Sequence, residues 1–110
     1  MKRVGLPMTL EPGLKAALLR VSEGRNMNDT AVAALASHYG LDVEPTGLPP
    51  RPLSASDSVC WSMPAKLRDR ITDDLTRENR KRRRRGEPKL TQGELVNRIL
   101  REQVGASVAA

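Results

Sequence analysis

Two stretches of this chain follow the same order: a brief alternating segment, an amphipathic helix, a polar break and a second helix, first in residues 3 to 40 and again in 58 to 104. A unit of only about 40 residues is too small to bury its own apolar face, so such units must close on one another. The 110 residues leave room for one domain or two very small ones, and 38% apolar residues with one Trp, one Tyr and no Phe imply a core of Leu, Val, Ile, Met and Ala. A large catalytic cavity is not expected from such a chain.

In the first unit, Leu6, Met8 and Leu10 alternate with Gly5, Pro7 and Thr9, the period of a short strand with one apolar face. Pro7 cannot donate to a ladder, which restricts this strand to an edge or a two-stranded ribbon. Glu11, Pro12 and Gly13 open a helix whose stripe is Leu14, Ala17, Leu18 and Val21, and Gly24 ends it. Asn28, Asp29 and Thr30 are suited to cap a second helix, with Val32, Leu35, Ala36 and Tyr39 on its buried side and Gly40 at its end.

The second unit repeats the order with other residues. Val59, Trp61 and Met63 alternate with Ser58, Cys60 and Ser62, and Pro64 marks the passage from strand to helix. Leu67, Ile71 and Leu75 are spaced four apart on a helix that is otherwise densely charged. Thr91 and Glu94 form a capping-box pattern ahead of Leu95, Val96, Ile99, Leu100 and Val104, the strongest apolar face in the chain. Trp61 has the size and strand position of a core anchor, and His38 near a helix end suits a surface cap. The boundaries expected are a first unit at 1–41, a linker at 42–57, a second unit at 58–105 and a short tail at 106–110. Pro45, Pro49, Pro50 and Pro52 stiffen the linker, which can span up to about 50 Å when extended. That length permits pairing of the units within one chain or with a second copy.

The net charge of +6 lies entirely in the second half: residues 1 to 50 hold five basic and five acidic side chains, and 51 to 110 hold fourteen and eight. Such an imbalance points to a polyanion. The first 20 residues hold no uninterrupted apolar run of the signal-peptide kind, and no stretch approaches the roughly 20 residues needed to span a bilayer, so a cytoplasmic protein is expected. One Cys and one His provide neither an internal disulfide nor a metal-ligand cluster, and they suggest no nucleophile and base pair. We therefore expect no catalysis, cofactor, metal, membrane partner or small-molecule substrate.

The strand ending near Pro, the helix, the Gly24-Arg25-Asn26 turn and the polar start of the next helix resemble the ribbon-helix-helix DNA-binding family of the Arc and MetJ repressors. The likeness runs from Leu6-Pro7-Met8-Thr9-Leu10 to Tyr39, and from Val59-Cys60-Trp61-Ser62-Met63-Pro64 to Val104. It implies a mainly α fold with a short two-stranded antiparallel β-ribbon, and a tandem arrangement in which two units form an intramolecular pseudo-dimer. In that family the ribbon enters the major groove of double-stranded DNA. By resemblance, Arg3, Gly5, Pro7 and Thr9 from one strand and Ser58, Cys60 and Ser62 from the other face the bases. Phosphate contacts fall to the helix starts, at Asn28 and Thr30 and at Thr91 and Gln92, with Gly93 permitting close approach.

Arg80, Lys81, Arg82, Arg83, Arg84 and Arg85, with Lys89 beyond them, add a cationic segment for phosphate, expected as an elongated loop that stays frayed until an anion neutralises it. The roles the resemblance implies are transcriptional repression, plasmid or phage partition, or preparation of DNA for transfer, with self-association along DNA and a nucleoid location in a bacterium. Two other classes compete. The arginine run also fits an arginine-rich RNA-binding segment. An antitoxin-like interaction module would need a partner-binding segment beyond the fold, for which Gly105 to Ala110 is short.

Overall fold

A computed structural model describes residues 2–50 and 56–109, with side chains through 105. The chain is mainly helical with a two-stranded antiparallel sheet, in the order β1 (Arg3–Thr9), α1 (Leu14–Ser22), α2 (Met27–His38), β2 (Ser58–Pro64), α3 (Ala65–Arg84) and α4 (Gln92–Ala109). Pro52 of the expected linker lies outside the described residues. No helix among those described is long and apolar enough to cross a membrane.

β1 pairs with β2 of the same chain, in a register that sets Leu6 opposite Trp61 at its centre and Arg3 opposite Pro64 at one end. Leu6, Met8, Trp61 and Met63 are buried, while Arg3, Gly5, Pro7, Thr9, Ser58, Cys60 and Ser62 are exposed. The period-2 pattern thus gives the ribbon one greasy and one wet face. Backbone groups of Ser62 bond to the Asn28 side chain instead of to β1, so Gly5 and Ser62 form a non-hydrogen-bonded pair. By the same alternation Pro7 and Cys60 form the next such pair, and the missing N–H of Pro7 costs the ladder nothing.

A lone ribbon leaves both outer edges without strand partners, and helices supply the bonds instead. On β2, Asn28 Nδ2 donates to Ser62 O at 3.0 Å and Asn28 Oδ1 accepts from Ser62 N–H at 2.8 Å. On β1, Arg68 Nη1 donates to Gly5 O at 2.7 Å and Asn97 Nδ2 donates to Thr9 O at 3.0 Å. Asn97 Oδ1 also accepts from Glu11 N–H at 3.1 Å. Asn28 belongs to α2 and holds β2, whereas Arg68 of α3 and Asn97 of α4 hold β1, so each half of the chain secures the other's strand.

One core joins the two halves. Leu6, Leu18, Leu35, Met63, Leu67, Ile71, Leu95 and Leu100 are among its buried members, and α2 packs chiefly against α4. Trp61 is 2% exposed, and its Nε1–H points at Met8 Sδ 3.2 Å away, which gives the indole donor a soft acceptor inside the core. At the far end of α2, the Tyr39 hydroxyl donates to Asp74 of α3 at 2.8 Å with the Arg70 guanidinium 5.8 Å from its ring centroid. Burial, then the bond to Asp74, raise the Tyr39 pKa well above the usual phenol range, so the donor stays protonated.

Three boundaries differ from expectation. The cap of α2 is Asn26 and not the 28–30 triplet: Asn26 Oδ1 accepts from Asn28 N–H at 2.9 Å and Asp29 N–H at 3.3 Å. The helix therefore starts at Met27. The stretch from Gly105 onward, expected as a tail, continues α4 to Ala109. The third difference is the arginine run, which is no loop. Arg80 to Arg84 are the last turns of the 20-residue α3, and only Arg85 and the residues after it turn away.

The helix persists there because four cations in the last turn oppose the negative end of the helix dipole, and Gly86 at φ 71° accepts the left-handed turn that ends it. Asn79 fixes the return: its Nδ2 donates to Leu90 O at 3.1 Å and its Oδ1 accepts from Leu90 N–H at 2.8 Å. Replacing Trp61 with Ala removes the largest core side chain beneath the ribbon and is expected to lower stability by about 3–5 kcal/mol. Urea denaturation followed by circular dichroism measures it.

Candidate nucleic-acid interface

The outer face of the ribbon is formed by seven exposed residues, Arg3, Gly5, Pro7, Thr9, Ser58, Cys60 and Ser62, the same seven that the family resemblance sets towards the bases. They differ in character. Gly5, Pro7 and Cys60 make a shallow central strip, where a methyl group built on Gly5 would come within 3.0 Å of Cys60 Sγ. Polar groups occupy the ends. Thr9 lies opposite Ser58 at one end, and Arg3 reaches Ser62 at the other.

Arg3 Nε donates to Ser62 Oγ at 3.1 Å and Arg3 Nη2 to Ser62 O at 2.6 Å. The guanidinium therefore lies across the strand pair and presents its remaining N–H donors at the surface. A long planar donor beside hydroxyls is suited to the acceptor-rich edge of a base pair.

The two nominated helix starts are unequal. At α2, Asn28 is spent on the β2 edge, and Thr30 Oγ1 accepts from Ser22 Oγ at 2.9 Å inside the half-unit. The Asp29 carboxylate accepts from Thr46 N–H at 2.9 Å, from the Thr46 hydroxyl and from Gly47 N–H at 3.2 Å. Asn26 Nδ2 donates to Pro49 O at 3.0 Å. The linker is thus laid against this helix start.

At α4, Gln92 and Gly93 precede the first backbone bond of the helix, from Leu95 N–H to Thr91 O. A Cβ built on Gly93 would lie 3.7 Å from Met8 Cβ, so this helix start abuts β1. Thr91 and Glu94 form a reciprocal capping box: Glu94 N–H donates to Thr91 Oγ1 at 3.2 Å, while Glu94 Oε1 accepts from Thr91 N–H at 3.1 Å and from its hydroxyl at 2.8 Å. Those bonds hold the Glu94 pKa below the ordinary carboxylate value.

The cationic run divides into two groups. Arg82 is turned inward: its Nε lies 3.7 Å from Glu78 Oε1 and its Nη1 donates to Pro88 O at 3.3 Å. Arg85 pairs with Glu87 at 3.2 Å. Arg80, Lys81, Arg83 and Arg84 are exposed, their side chains without a hydrogen-bond or ion-pair partner among the described residues, and Lys89 is exposed as well. The cationic phosphate nominations thus separate into Arg80, Lys81, Arg83, Arg84 and Lys89, which face solvent, and Arg82 and Arg85, which pair with Glu78 and Glu87 at the turn after α3.

Asn97, Arg68 and the edge role of Asn28 went unnoticed in the sequence. The one available signal is the short amide of Asn97, which with Arg98 separates the apolar pairs Leu95-Val96 and Ile99-Leu100. Among the described residues no group of His, Cys, Asp and Glu is arranged to hold a metal ion. The chain matches no family model, no curated protein and no solved structure.

Thr91→Ala removes the cap of α4 and is expected to cost about 1 kcal/mol at neutral pH. A folded-state Glu94 pKa below its unfolded value contributes stability that is present above the unfolded pKa and lost as pH falls through the folded one. The Thr91→Ala penalty should therefore be full at pH 6 to 7 and shrink only under acid conditions below the ordinary Glu range, about pH 4.3. Denaturation midpoints of both proteins across that range give the measurement.

Proposed function

We propose that the chain is a sequence-selective double-stranded DNA-binding protein built from two ribbon-helix-helix units that pair within one chain as a pseudo-dimer. The observation that carries this reading is the two-faced ribbon: seven exposed residues on one side, over Leu6, Met8, Trp61 and Met63 sealed against α2, α3 and α4 on the other. Both halves run strand, helix, helix, both strands have seven residues, and the register is symmetric about the Leu6 and Trp61 pair. The crossed clamps of Asn28 on β2 and of Arg68 and Asn97 on β1 fit an interleaved pair of units.

A two-stranded ribbon is narrow enough to enter a major groove about 12 Å wide. In that pose Arg3 addresses guanine acceptors, Thr9, Ser58 and Ser62 bond base edges, and Pro7 with the Thr9 methyl touches thymine methyl groups. Gly5 and Cys60 let the backbone sit close to the base pairs. Because the strands differ, the half-sites differ too, and the preferred site is not a palindrome. The mechanism is occupancy of DNA without chemistry, as in repression or in plasmid or phage DNA organisation.

Selection from random duplex libraries at near-physiological salt tests the reading. Thr9→Ala and Ser62→Ala are each expected to relax the preference at one or two base positions, with a loss of discrimination of about 1–3 kcal/mol per good contact. If both variants select the same site as the parent, the ribbon is not the reader.

A further inference from the structure

We propose that the end of α3 is a rigid cationic arm that grips the phosphates of duplex DNA on one flank of the ribbon only, so that the protein's footprint is lopsided. The inference rests on the DNA-binding reading above and adds to it a direction.

Charge comes first. Between Arg77 and Lys89 there are eight cations and two carboxylates, whereas the equivalent stretch from Leu19 to Ala31 holds two of each. The comparison is sharper at the level of side chains. On the α1 and α2 side, Arg25 is folded back, its Nε donating to Ser22 O at 3.0 Å, and the Asp29 carboxylate and Pro49 carbonyl are bound up with the linker. Thr46, Leu48 and Pro50 share a cleft with Asn26, Asn28, Ser58 and Ser62, so the linker stands where a DNA backbone would pass beside β2. On the α3 and α4 side nothing described covers Arg80, Lys81, Arg83 and Arg84.

Position comes second. α1 has 9 residues and α3 has 20. The two bonds between Asn79 and the Leu90 backbone tie α3 to the residues just ahead of α4, whose start abuts Met8 of β1. Arg80 to Arg84 run past that tie by five residues, roughly 7 Å of helix. That overhang is about two phosphates along one strand of duplex, before the reach of the side chains is added.

Rigidity comes third. The Asn79 tie, the Arg82 contacts with Glu78 and Pro88, and the bond from Glu87 N–H to Arg82 O at 2.9 Å hold the arm's inner side. The cations on the outer side are therefore arrayed before any partner arrives, which lowers the ordering cost of binding. Their mutual repulsion is relieved by an anion.

Hydroxyl-radical footprinting on a selected duplex site, with the full chain and with an Arg80→Gln, Lys81→Gln, Arg83→Gln, Arg84→Gln variant, tests the proposal. Gln retains helix propensity, and circular dichroism verifies the fold. The expected result is protection that extends several base pairs further on one side of the ribbon's centre. In the variant that extension disappears, and the salt slope falls by up to about 3.6 if all four side chains engage phosphates. Equal protection on both flanks, or an unchanged slope and footprint in the variant, overturns it. So does structured RNA that competes as well as duplex DNA of equal charge. Failure of the ribbon reading looks different: Thr9→Ala and Ser62→Ala leave the base preference intact while the one-sided protection persists and still depends on the four cations.

Discussion

The fold depends on the pairing of β1 with β2, two seven-residue strands that form a sheet with no third member among the described residues. A ribbon of this kind is marginal alone, because half of its backbone groups face outward and its apolar face has nothing to cover it. Both needs are met by the same helices. Leu35, Leu67, Ile71, Leu95 and Leu100 close over Leu6 and Met63, and Asn28, Arg68 and Asn97 bond the outward carbonyls and amide. Since each clamp crosses from one half of the chain to the other, neither half is complete without its counterpart.

Much of this was legible in the sequence, and the reasons are local. Alternation over seven residues reports a half-buried strand directly, and the Pro7 restriction to an edge follows from its lacking N–H. The α4 start was equally plain, since Thr91 and Glu94 can satisfy two orphan amides together. What escaped notice depends on distant partners. Asn97 reads as an interruption of an apolar face until Thr9 and Glu11 are seen beside it. The cap of α2 was misplaced by two residues because Asn26, Asn28, Asp29 and Thr30 are all competent caps, and only the bonds of the others to Ser62, Thr46 and Ser22 decide among them.

The arginine run is the instructive discrepancy. Repulsion among six adjacent cations argued for a frayed loop, yet two of them are neutralised within the chain, Arg82 by Glu78 and Arg85 by Glu87. The rest splay around the cylinder instead of stacking, and the dipole of a 20-residue helix favours positive charge at that end. The first turn of α3 carries no acidic residue, so the match between charge and dipole lies at its C-terminal end, in Lys81, Arg82, Arg83 and Arg84. A linear count of charge could not register that arrangement.

Joining β1 and β2 through residues 42–57 changes the arithmetic of dilution. Strands on separate molecules find each other at a rate set by concentration, whereas a tethered partner is present at an effective concentration on the order of millimolar. The paired state therefore survives at a few molecules per cell. Tethering also frees the two halves from mirror obligations: Leu6 may face an indole and Asn28 may have no twin, because neither surface ever has to meet a copy of itself.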